Sequence, residues 1–281
     1  MPLFSVGINQ RQTTNHFETI MRRVIFNQKG GVGKSTIACN LAAISAIDDK
    51  KTLVIDLDVQ CNTTHYLLGE KVADPDRTIA HFFKETLGVN LFGKTHSNEL
   101  LASVIHATRW PNLFIIPAHA ELEPLQSRLE SRYKIFKLRE ALDHLEGFDH
   151  IYLDTPAALN FYSRTALVAA KHCLIPFDCD AFSRDGLYNL LATIAEIKAD
   201  LNADLIIEGI VVNQFQSRAN LPQLLVDSLI AEGHPVLDSK ISPSVKVRES
   251  HSESQPLIHY APDHKLTEEF LALHLELHSK V

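Results

Sequence analysis

A glycine-rich loop constrains the fold of this chain more than any other segment: residues 29–36 read KGGVGKST. A mostly apolar run, residues 23–26, precedes the loop, and residues 37–44 follow it with the apolar spacing of a helix. Between a strand and a helix, successive backbone N–H groups turn toward one point, and the helix N-terminus adds unpaired donors and the positive end of its dipole. The segment therefore predicts a phosphate-binding loop.

The residues of this loop have distinct expected roles. Lys34 is placed to reach the β- and γ-phosphates of a nucleotide, and the hydroxyl of Ser35 is placed to ligate Mg²⁺. The alternative is a glycine-rich turn that only connects a strand to a helix, which the fixed positions in this context disfavour. The predicted nucleotide-binding residues of the loop are Gly30, Gly31, Val32, Gly33, Lys34, Ser35 and Thr36.

Lys29 adds a second lysine at the start of the loop, and the segment KGGVGKS resembles the deviant Walker A motif of the ParA/MinD family of ATPases. The resemblance implies an α/β fold, that of a P-loop NTPase with a mostly parallel twisted sheet flanked by helices on both faces. It also implies ATP or ADP and Mg²⁺ as cofactors, and a homodimer that forms on ATP binding. In that dimer Lys29 is expected to reach the partner's phosphates, so Lys29 and Lys34 are predicted catalytic residues.

Two aspartates end the second predicted strand, residues 52–58 (TLVIDLD). Ligands of open α/β sheets bind at the carboxyl ends of the strands, so these acids are expected at the phosphate site. The segment DVQCN resembles the family's DxDPQGN, which implies that Asp58 helps to position the attacking water, while Asp56 supports the Mg²⁺ shell or the loop. Val59 and Cys61 replace the usual Pro and Gly. An ordinary turn acid at the strand end is the alternative for Asp58.

A further apolar run ends in one acid, because residues 148–156 read FDHIYLDTP. Asp154 has the position of a Walker B aspartate, which holds Mg²⁺ through water. The run resembles the family's DYIIIDTPP, with Ala157 in place of the second Pro, and the resemblance implies that residues 157–164 respond to the γ-phosphate. The predicted metal-site residues are Ser35, Asp56 and Asp154.

Asn213 ends another predicted strand, residues 205–213. Relatives of this class often place an amide there, on the adenine edge, and an amide suits that position because it offers a donor and an acceptor together. A strand-end asparagine that closes a turn is the alternative, and both interpretations stay open.

The last quarter of the chain strengthens the resemblance. Residues 241–250 and 255–262 resemble the family's C-terminal pattern I-x-x-x-V-x-x-x-E-S/A, with a following G-x-P-I turn and Y-x-P. In ParA proteins a stripe of basic residues binds DNA without sequence preference, and the matching positions here are Arg218, Lys246 and Arg248. A solvated basic pair is the alternative.

Composition limits these interpretations. The chain has 281 residues, 45% of them hydrophobic, which is enough for a substantial core in one α/β domain. The 27 basic and 34 acidic residues give a net charge of −7, so any DNA contact requires a local patch completed by dimerisation. The four cysteines form no CxxC pair and the 15 histidines have no zinc spacing, so no metal besides nucleotide-bound Mg²⁺ is expected. Residues 1–20 are predicted to be a flexible extension and residues 21–281 a single domain.

Membrane association is not expected. No apolar stretch reaches the roughly 20 residues of a membrane span, and the N-terminus lacks the apolar core of a signal peptide. The predicted C-terminal helix, residues 266–278, has an acidic polar face that anionic lipid repels. We therefore expect a cytoplasmic, nucleoid-associated protein. The other predicted elements are helices over residues 34–46, 75–87, 121–145 and 183–199, and strands over residues 112–117 and 172–177.

These expectations describe a ParA-like ATPase whose ATP-bound dimer binds DNA non-specifically. A ParB-like or other cargo adaptor protein would stimulate slow hydrolysis and release. Two rivals remain open: a nucleotide-gated regulatory switch that binds a protein partner without DNA, and a small-molecule ligase such as dethiobiotin synthetase, which would not need Lys29 in trans. Operator-specific repression is not expected because no helix-turn-helix precedes residue 21, and the cysteines do not fit electron transfer of the nitrogenase iron-protein type.

Overall fold

The computed structural model describes residues 20–88, 97–179, 183–216 and 220–279, and its centre is one eight-stranded sheet. The strand order is β3-β4-β2-β5-β1-β6-β7-β8. Neighbouring strands are parallel except at the β3–β4 edge, where two residues pair in the antiparallel sense. The strands are β1 Met21–Ile25, β2 Thr52–Asp56, β3 His106–Ala107, β4 Leu113–Ile116, β5 His150–Asp154, β6 His172–Asp178, β7 Ile206–Asn213 and β8 Val236–Lys240.

Helices cover both faces of the sheet, which explains why its central strands are apolar at almost every position. Side chains alternate along β2, where Leu53 and Ile55 enter one hydrophobic cluster and Val54 enters the other. The helices are α1 Lys34–Ile47, α2 Asn62–Leu68, α3 Ile79–Thr86, α4 Ser97–Ala102, α5 Leu122–Ser131, α6 Lys137–Asp143, α7 Phe161–Ala169, α8 Ser183–Asp200, α9 Asn220–Ala231, α10 Val245–Ser252, α11 Leu257–Tyr260 and α12 Lys265–Ser279.

One face of the sheet carries α1, α2, α11 and α12, and the other carries α3 to α9. Both faces are therefore covered, and the predicted fold class is confirmed. Within the described ranges, no helix has both the length and the apolar character needed to cross a bilayer. Of the extension predicted at residues 1–20, only residue 20 lies within the described part of the chain.

The single helix predicted over residues 121–145 is wrong, because the structure has two helices, α5 and α6, with a short 3-10 turn at Lys134–Phe136 between them. Tyr133 has φ +53°, a left-handed conformation that interrupts the helical hydrogen-bond pattern. Neither glycine nor proline marks this position, so the apolar spacing alone predicts a continuous helix. The helix predicted over residues 75–87 likewise starts as a 3-10 turn, Pro75–Arg77, before α3.

The segment expected to respond to the γ-phosphate, residues 157–164, contains a loop and the start of α7. Asn160 caps this helix: its Oδ1 accepts from the N–H groups of Tyr162 and Ser163, each at 3.1 Å, and its own N–H donates to Ser163 Oγ at 2.9 Å. This reciprocal capping box fixes where the loop after β5 ends and the helix begins.

Removal of the cap is expected to weaken the fold measurably. Asn160→Ala should lower the free energy of unfolding by about 1 kcal/mol, because two N–H groups of the first turn lose their acceptor. Urea unfolding followed by circular dichroism measures the change. Asn160→Ser, which keeps a capping oxygen, should lose clearly less, and equal losses in the two variants would contradict the capping argument.

Candidate functional site

The loop between β1 and α1 takes a conformation that only glycine accommodates at its last residue before the helix, Gly33. Gly31 has φ +76° and Gly33 has φ +91°, both on the side of the backbone map that L side chains rarely adopt. A Cβ atom on Gly33 would lie 2.3 Å from Asn213 Nδ2, whereas one on Gly31 would meet nothing within 4 Å. Gly33 is therefore required for two reasons, its backbone conformation and the close approach of β7.

Asn213 supports the loop from the end of β7. Its Nδ2 donates to the carbonyl of Val32 at 2.9 Å, and the next residue, Gln214, donates through Nε2 to the carbonyl of Gly31 at 3.3 Å. Both amides thus hold the loop in place. The contact of Asn213 with an adenine edge stays a prediction.

A cavity of about 420 Å³ opens beside the loop, a volume within the range of small-molecule sites. Its lining comes from Gly31, Gly33 and Thr36, from the segments that end β7 and follow β8, and from the start of α10. The cavity is continuous with the predicted phosphate-binding loop, so it suits the nucleoside part of a bound nucleotide.

Lys34 is buried against its own loop, with Nζ donating to the carbonyl of Lys29 at 3.0 Å. Burial lowers the pKa of its ammonium, while the carboxylates of Asp154 and Asp58 act in the opposite direction. A lysine in this position is surrounded by acids at the strand ends and by the loop.

Lys29 lies at the outer side of the loop, with 42% of its side chain exposed. Its backbone N–H donates to Asn27 Oδ1 at 2.9 Å, and its Nζ lies 3.8 Å from Asp178 Oδ2 at the end of β6. The two lysines of the motif therefore differ in exposure. Lys34 is buried, whereas Lys29 is partly exposed beside Asp178, and its predicted contact with a partner's phosphates stays a prediction.

Asp154 is completely buried at the end of β5, in the centre of the sheet. Thr63 Oγ1 donates to its Oδ2 at 2.7 Å, whereas its Oδ1 makes no hydrogen bond to any described residue. Burial raises the pKa of this carboxyl to about 6, and the hydroxyls of Ser35 and Thr63 partly offset that effect. A buried carboxylate oxygen without a donor, beside a hydroxyl, suits a hydrated cation, so these residues fit the expected Mg²⁺.

Asp56 pairs in register with Asp154, but its carboxylate has different hydrogen-bond donors. Its Oδ2 accepts from the N–H and the hydroxyl of Thr64, at 2.8 and 2.7 Å, and its Oδ1 accepts from the N–H of Asp58 at 3.1 Å. Burial, and then the nearby Asp154 carboxylate, raise its pKa to about 8. This geometry favours the role of Asp56 in supporting the loop over a direct place in the Mg²⁺ shell.

Asp58 is half-buried in the loop between β2 and α2, with Oδ1 accepting from the N–H of Gln60 at 3.0 Å. Its carbonyl accepts from the N–H of Cys61 at 2.9 Å, and Cys61 has φ +58°. The residue that stands in place of the family's usual Gly thus keeps a glycine-like backbone conformation. Asp58 lies on the same edge of the sheet as Lys34 and Asp154.

Sequence reasoning missed the threonines of α2, Thr63 and Thr64. Both are completely buried, and each binds one of the strand-end aspartates. One signal points to them. They lie two and three residues after Cys61, which has a glycine-like backbone conformation, at the start of a helix that follows an acidic strand end.

The predicted DNA-binding residues are only partly within the described part of the chain. Arg218 lies outside it. Lys246 and Arg248 are on α10, where Lys246 Nζ donates to Glu249 Oε2 at 2.6 Å and Arg248 is exposed and lines the cavity beside the loop. The hydrogen bond to Glu249 raises the pKa of Lys246.

Comparison with known proteins identifies the family. The family model described as an AAA domain matches residues 21–207. The chromosome partitioning protein ParA of Myxococcus xanthus is 33% identical over 256 residues, which cover 90% of this chain and 86% of that protein. The chain belongs to the ParA/MinD family. The predicted family is thereby confirmed.

Solved structures with this fold carry the predicted ligands. An ATP complex of a Cyanothece McdA variant has a TM-score of 0.77 at 23% identity, covering 92% of this chain and 96% of that chain. Cobyrinic acid a,c-diamide synthase of Mycobacterium smegmatis, with ADP and magnesium, has a TM-score of 0.68 at 25% identity, covering 88% and 98%. ATP, ADP and Mg²⁺ are therefore ligands of this fold. Because one of the two proteins is a synthase, the fold alone does not separate a ParA/MinD-type ATPase from a ligase.

Proposed function

We propose that this protein is a partitioning or positioning ATPase that dimerises on binding ATP, holds DNA without sequence preference and releases it after hydrolysis. The observation that carries the proposal is the pair of lysines on one loop. Lys34 is buried near the strand-end acids Asp154 and Asp58, and 42% of the Lys29 side chain is exposed, with its Nζ 3.8 Å from Asp178. A ligase needs only the first of these lysines, whereas a nucleotide shared between two subunits needs both.

The chain's own residues would act on the nucleotide as follows. The N–H groups of the loop surround the phosphates, and Lys34 binds the β- and γ-phosphate oxygens. Ser35 and Asp154, the latter through water, would hold Mg²⁺, which neutralises developing phosphate charge when it is bound. Asp58 orients a water molecule toward the γ-phosphate, and Lys29 reaches the partner's phosphates across the dimer.

The DNA contact is proposed to come from Arg218, Lys246 and Arg248, doubled by dimerisation. Since the chain carries a net charge of −7, a patch of this kind attracts phosphates only locally, and its binding weakens steeply with salt. A ParB-like or other cargo adaptor would stimulate hydrolysis, and the complex would be found on the nucleoid in the cytoplasm.

A second candidate function is a nucleotide-gated switch that binds a protein partner and no DNA. One observation favours it: Lys246 is already paired with Glu249, and Tyr260 also donates to the same carboxylate at 3.2 Å. This pairing reduces the positive charge that α10 presents to a phosphate backbone.

The experiment that separates the two candidates is DNA retention with ATP, with ADP and without nucleotide, at low and at moderate salt. Retention with ATP alone, weakened by salt and persistent in Asp58→Ala, is the expected result, because that variant loses the group that orients water but keeps nucleotide binding. Absence of retention in every state, while light scattering still detects ATP-dependent dimers, would support the switch instead.

The basic residues provide the matched test. Arg218→Ala with Lys246→Ala removes two charges per protomer and four per dimer, so the slope of log affinity against log salt should fall by about three to four. Lys137→Ala, which removes a partly exposed lysine on α6, is the control and should retain DNA as the unmodified protein does. Equal retention by both variants would contradict the DNA-binding assignment.

A further inference from the structure

Helix α10 contacts the phosphate-binding loop through a residue to which the proposed function gives no role. His251 Nε2 lies 3.0 Å from Thr36 Oγ1, although the two residues are 215 positions apart in the chain. Thr36 directly follows Ser35 and belongs to the first turn of α1. The contact therefore joins the C-terminal part of the chain to the turn that faces the phosphates.

The ring of His251 is held in place by α2. It stacks on Tyr66, with ring centroids 4.0 Å apart and an angle of 21° between the planes. Tyr66 is buried, and its hydroxyl pairs with Ser250 Oγ at 2.9 Å. The imidazole is therefore held between Thr36 of α1 and Tyr66 of α2, the helix whose first turn binds Asp56 and Asp154.

The chemistry of this contact depends on one hydroxyl proton. Burial, followed by the nearby His65, lowers the pKa of His251, so its imidazole is neutral near pH 7 and carries a single N–H. The hydroxyl of Thr36 has one proton to donate and can accept at the same time. When His251 donates from Nε2, Thr36 accepts that bond and its proton is available to a phosphate oxygen.

Helix α10 approaches the same site at a second place. Val245, Val247 and Arg248 line the cavity beside the loop. A nucleotide in that cavity would therefore contact α10 directly, and it would also contact α10 indirectly through Thr36 and His251. The same helix carries Lys246 and Arg248, two of the three predicted DNA-binding residues.

We propose that His251 is a positioning residue for bound nucleotide: its imidazole fixes the hydroxyl of Thr36 toward a phosphate oxygen and links α10 to the occupancy of the loop. This inference rests on the proposed nucleotide binding, but it does not depend on DNA binding. It assigns to a C-terminal residue a part in the phosphate site that the loop motif does not contain.

The test compares two substitutions of His251 by their affinity for Mg-ATP, measured by calorimetry on the full chain. His251→Phe keeps an aromatic ring against Tyr66 but removes both ring nitrogens, whereas His251→Gln places an amide nitrogen near the position of Nε2. Loss of one hydrogen bond should weaken Mg-ATP binding about three- to tenfold in His251→Phe. His251→Gln should bind within about twofold of the unmodified protein.

A second measurement follows α10 itself. Amide hydrogen exchange over Val245–Ser252 should slow on ATP binding in the unmodified protein and in His251→Gln, and it should slow clearly less in His251→Phe. A role of His251 limited to packing would instead favour the variant that keeps the ring. The thermal unfolding midpoint without nucleotide shows that both variants are folded.

The outcomes distinguish this inference from the proposed function. If the unmodified protein binds no ATP, both fail. If the protein binds ATP and His251→Phe binds it equally well, the proposed function stands and the inference is overturned. Equal losses in His251→Phe and His251→Gln would also overturn it, because the ring nitrogen would then not be the group that acts.

Discussion

Replacement of Glu208 by glutamine is expected to lower the free energy of unfolding by about 3 to 5 kcal/mol. Arg23 of β1 binds both carboxylate oxygens of Glu208 on β7, from Nε and from Nη2, each at 2.5 Å. Only 1% of the Arg23 side chain and 3% of the Glu208 side chain are exposed. Glutamine would leave the guanidinium charge buried without its counter-ion, and urea unfolding followed by fluorescence measures the loss.

Two comparisons make this prediction specific. Glu140→Gln removes the acid of the partly exposed Lys137–Glu140 pair on α6 and should change the stability by no more than about 0.5 kcal/mol. The double variant Arg23→Met with Glu208→Leu replaces the buried pair by apolar side chains of similar volume and should recover most of the loss. If Glu208→Gln is no worse than Glu140→Gln, water reaches the pair and the argument from burial is wrong.

The network around this ion pair explains how the sheet supports the site. Arg23 Nη1 also donates to the hydroxyl of Tyr152 on β5 at 3.0 Å, and that hydroxyl pairs with Ser45 Oγ of α1 at 2.9 Å. The contacts thus join β1, β5, β7 and α1. β1 leads into the phosphate-binding loop, β5 ends at Asp154 and β7 ends at Asn213. A rigid sheet therefore holds the loop, the acid and the amide at fixed distances.

The sequence predicts the parts of the site that depend on strand order and on short motifs. Apolar runs with polar ends predict buried parallel strands, and the carboxyl ends of such strands meet at one edge, so Asp56, Asp154 and Asn213 are expected together. The structure places all three at the carboxyl ends of neighbouring parts of the sheet; Asn213 binds the loop and Asp154 lies near Lys34, whereas Asp56 binds Thr64 and Asp58. The different environments of Asp56 and Asp154 follow from hydrogen-bond donors on α2, which the motif does not include.

The remaining features depend on contacts between distant parts of the chain. Arg23 and Glu208 are 185 positions apart, and Thr36 and His251 are 215 positions apart. Neither pair is marked by a local sequence pattern. A charged residue within a strand is ordinarily expected to face solvent, so the buried pair has no sequence signal of its own. The break at Tyr133 is hidden for a different reason, because a non-glycine residue adopts a left-handed conformation there.

Gly33→Ala is expected to destabilise the fold more than Gly31→Ala, lowering the free energy of unfolding by about 2 to 3 kcal/mol. The left-handed conformation accounts for about 1 to 2 kcal/mol. The remainder, about 1 kcal/mol, comes from Asn213, whose amide must move from the new Cβ atom and give up its hydrogen bond to Val32. Mg-ATP affinity should fall by at least about tenfold, since a shift of the loop turns N–H groups away from the phosphates.

Gly31→Ala is the matched control, because Gly31 has a similar positive φ but a Cβ atom there meets nothing within 4 Å. It should lose only the conformational part, about 1 to 2 kcal/mol. Adding Asn213→Ala to Gly33→Ala removes the clash. The double variant should therefore lose less stability than the sum of the losses of the two single variants. Strict additivity, or equal losses in Gly31→Ala and Gly33→Ala, would show that β7 does not hold the loop through Asn213 and that the backbone conformation alone requires the glycine.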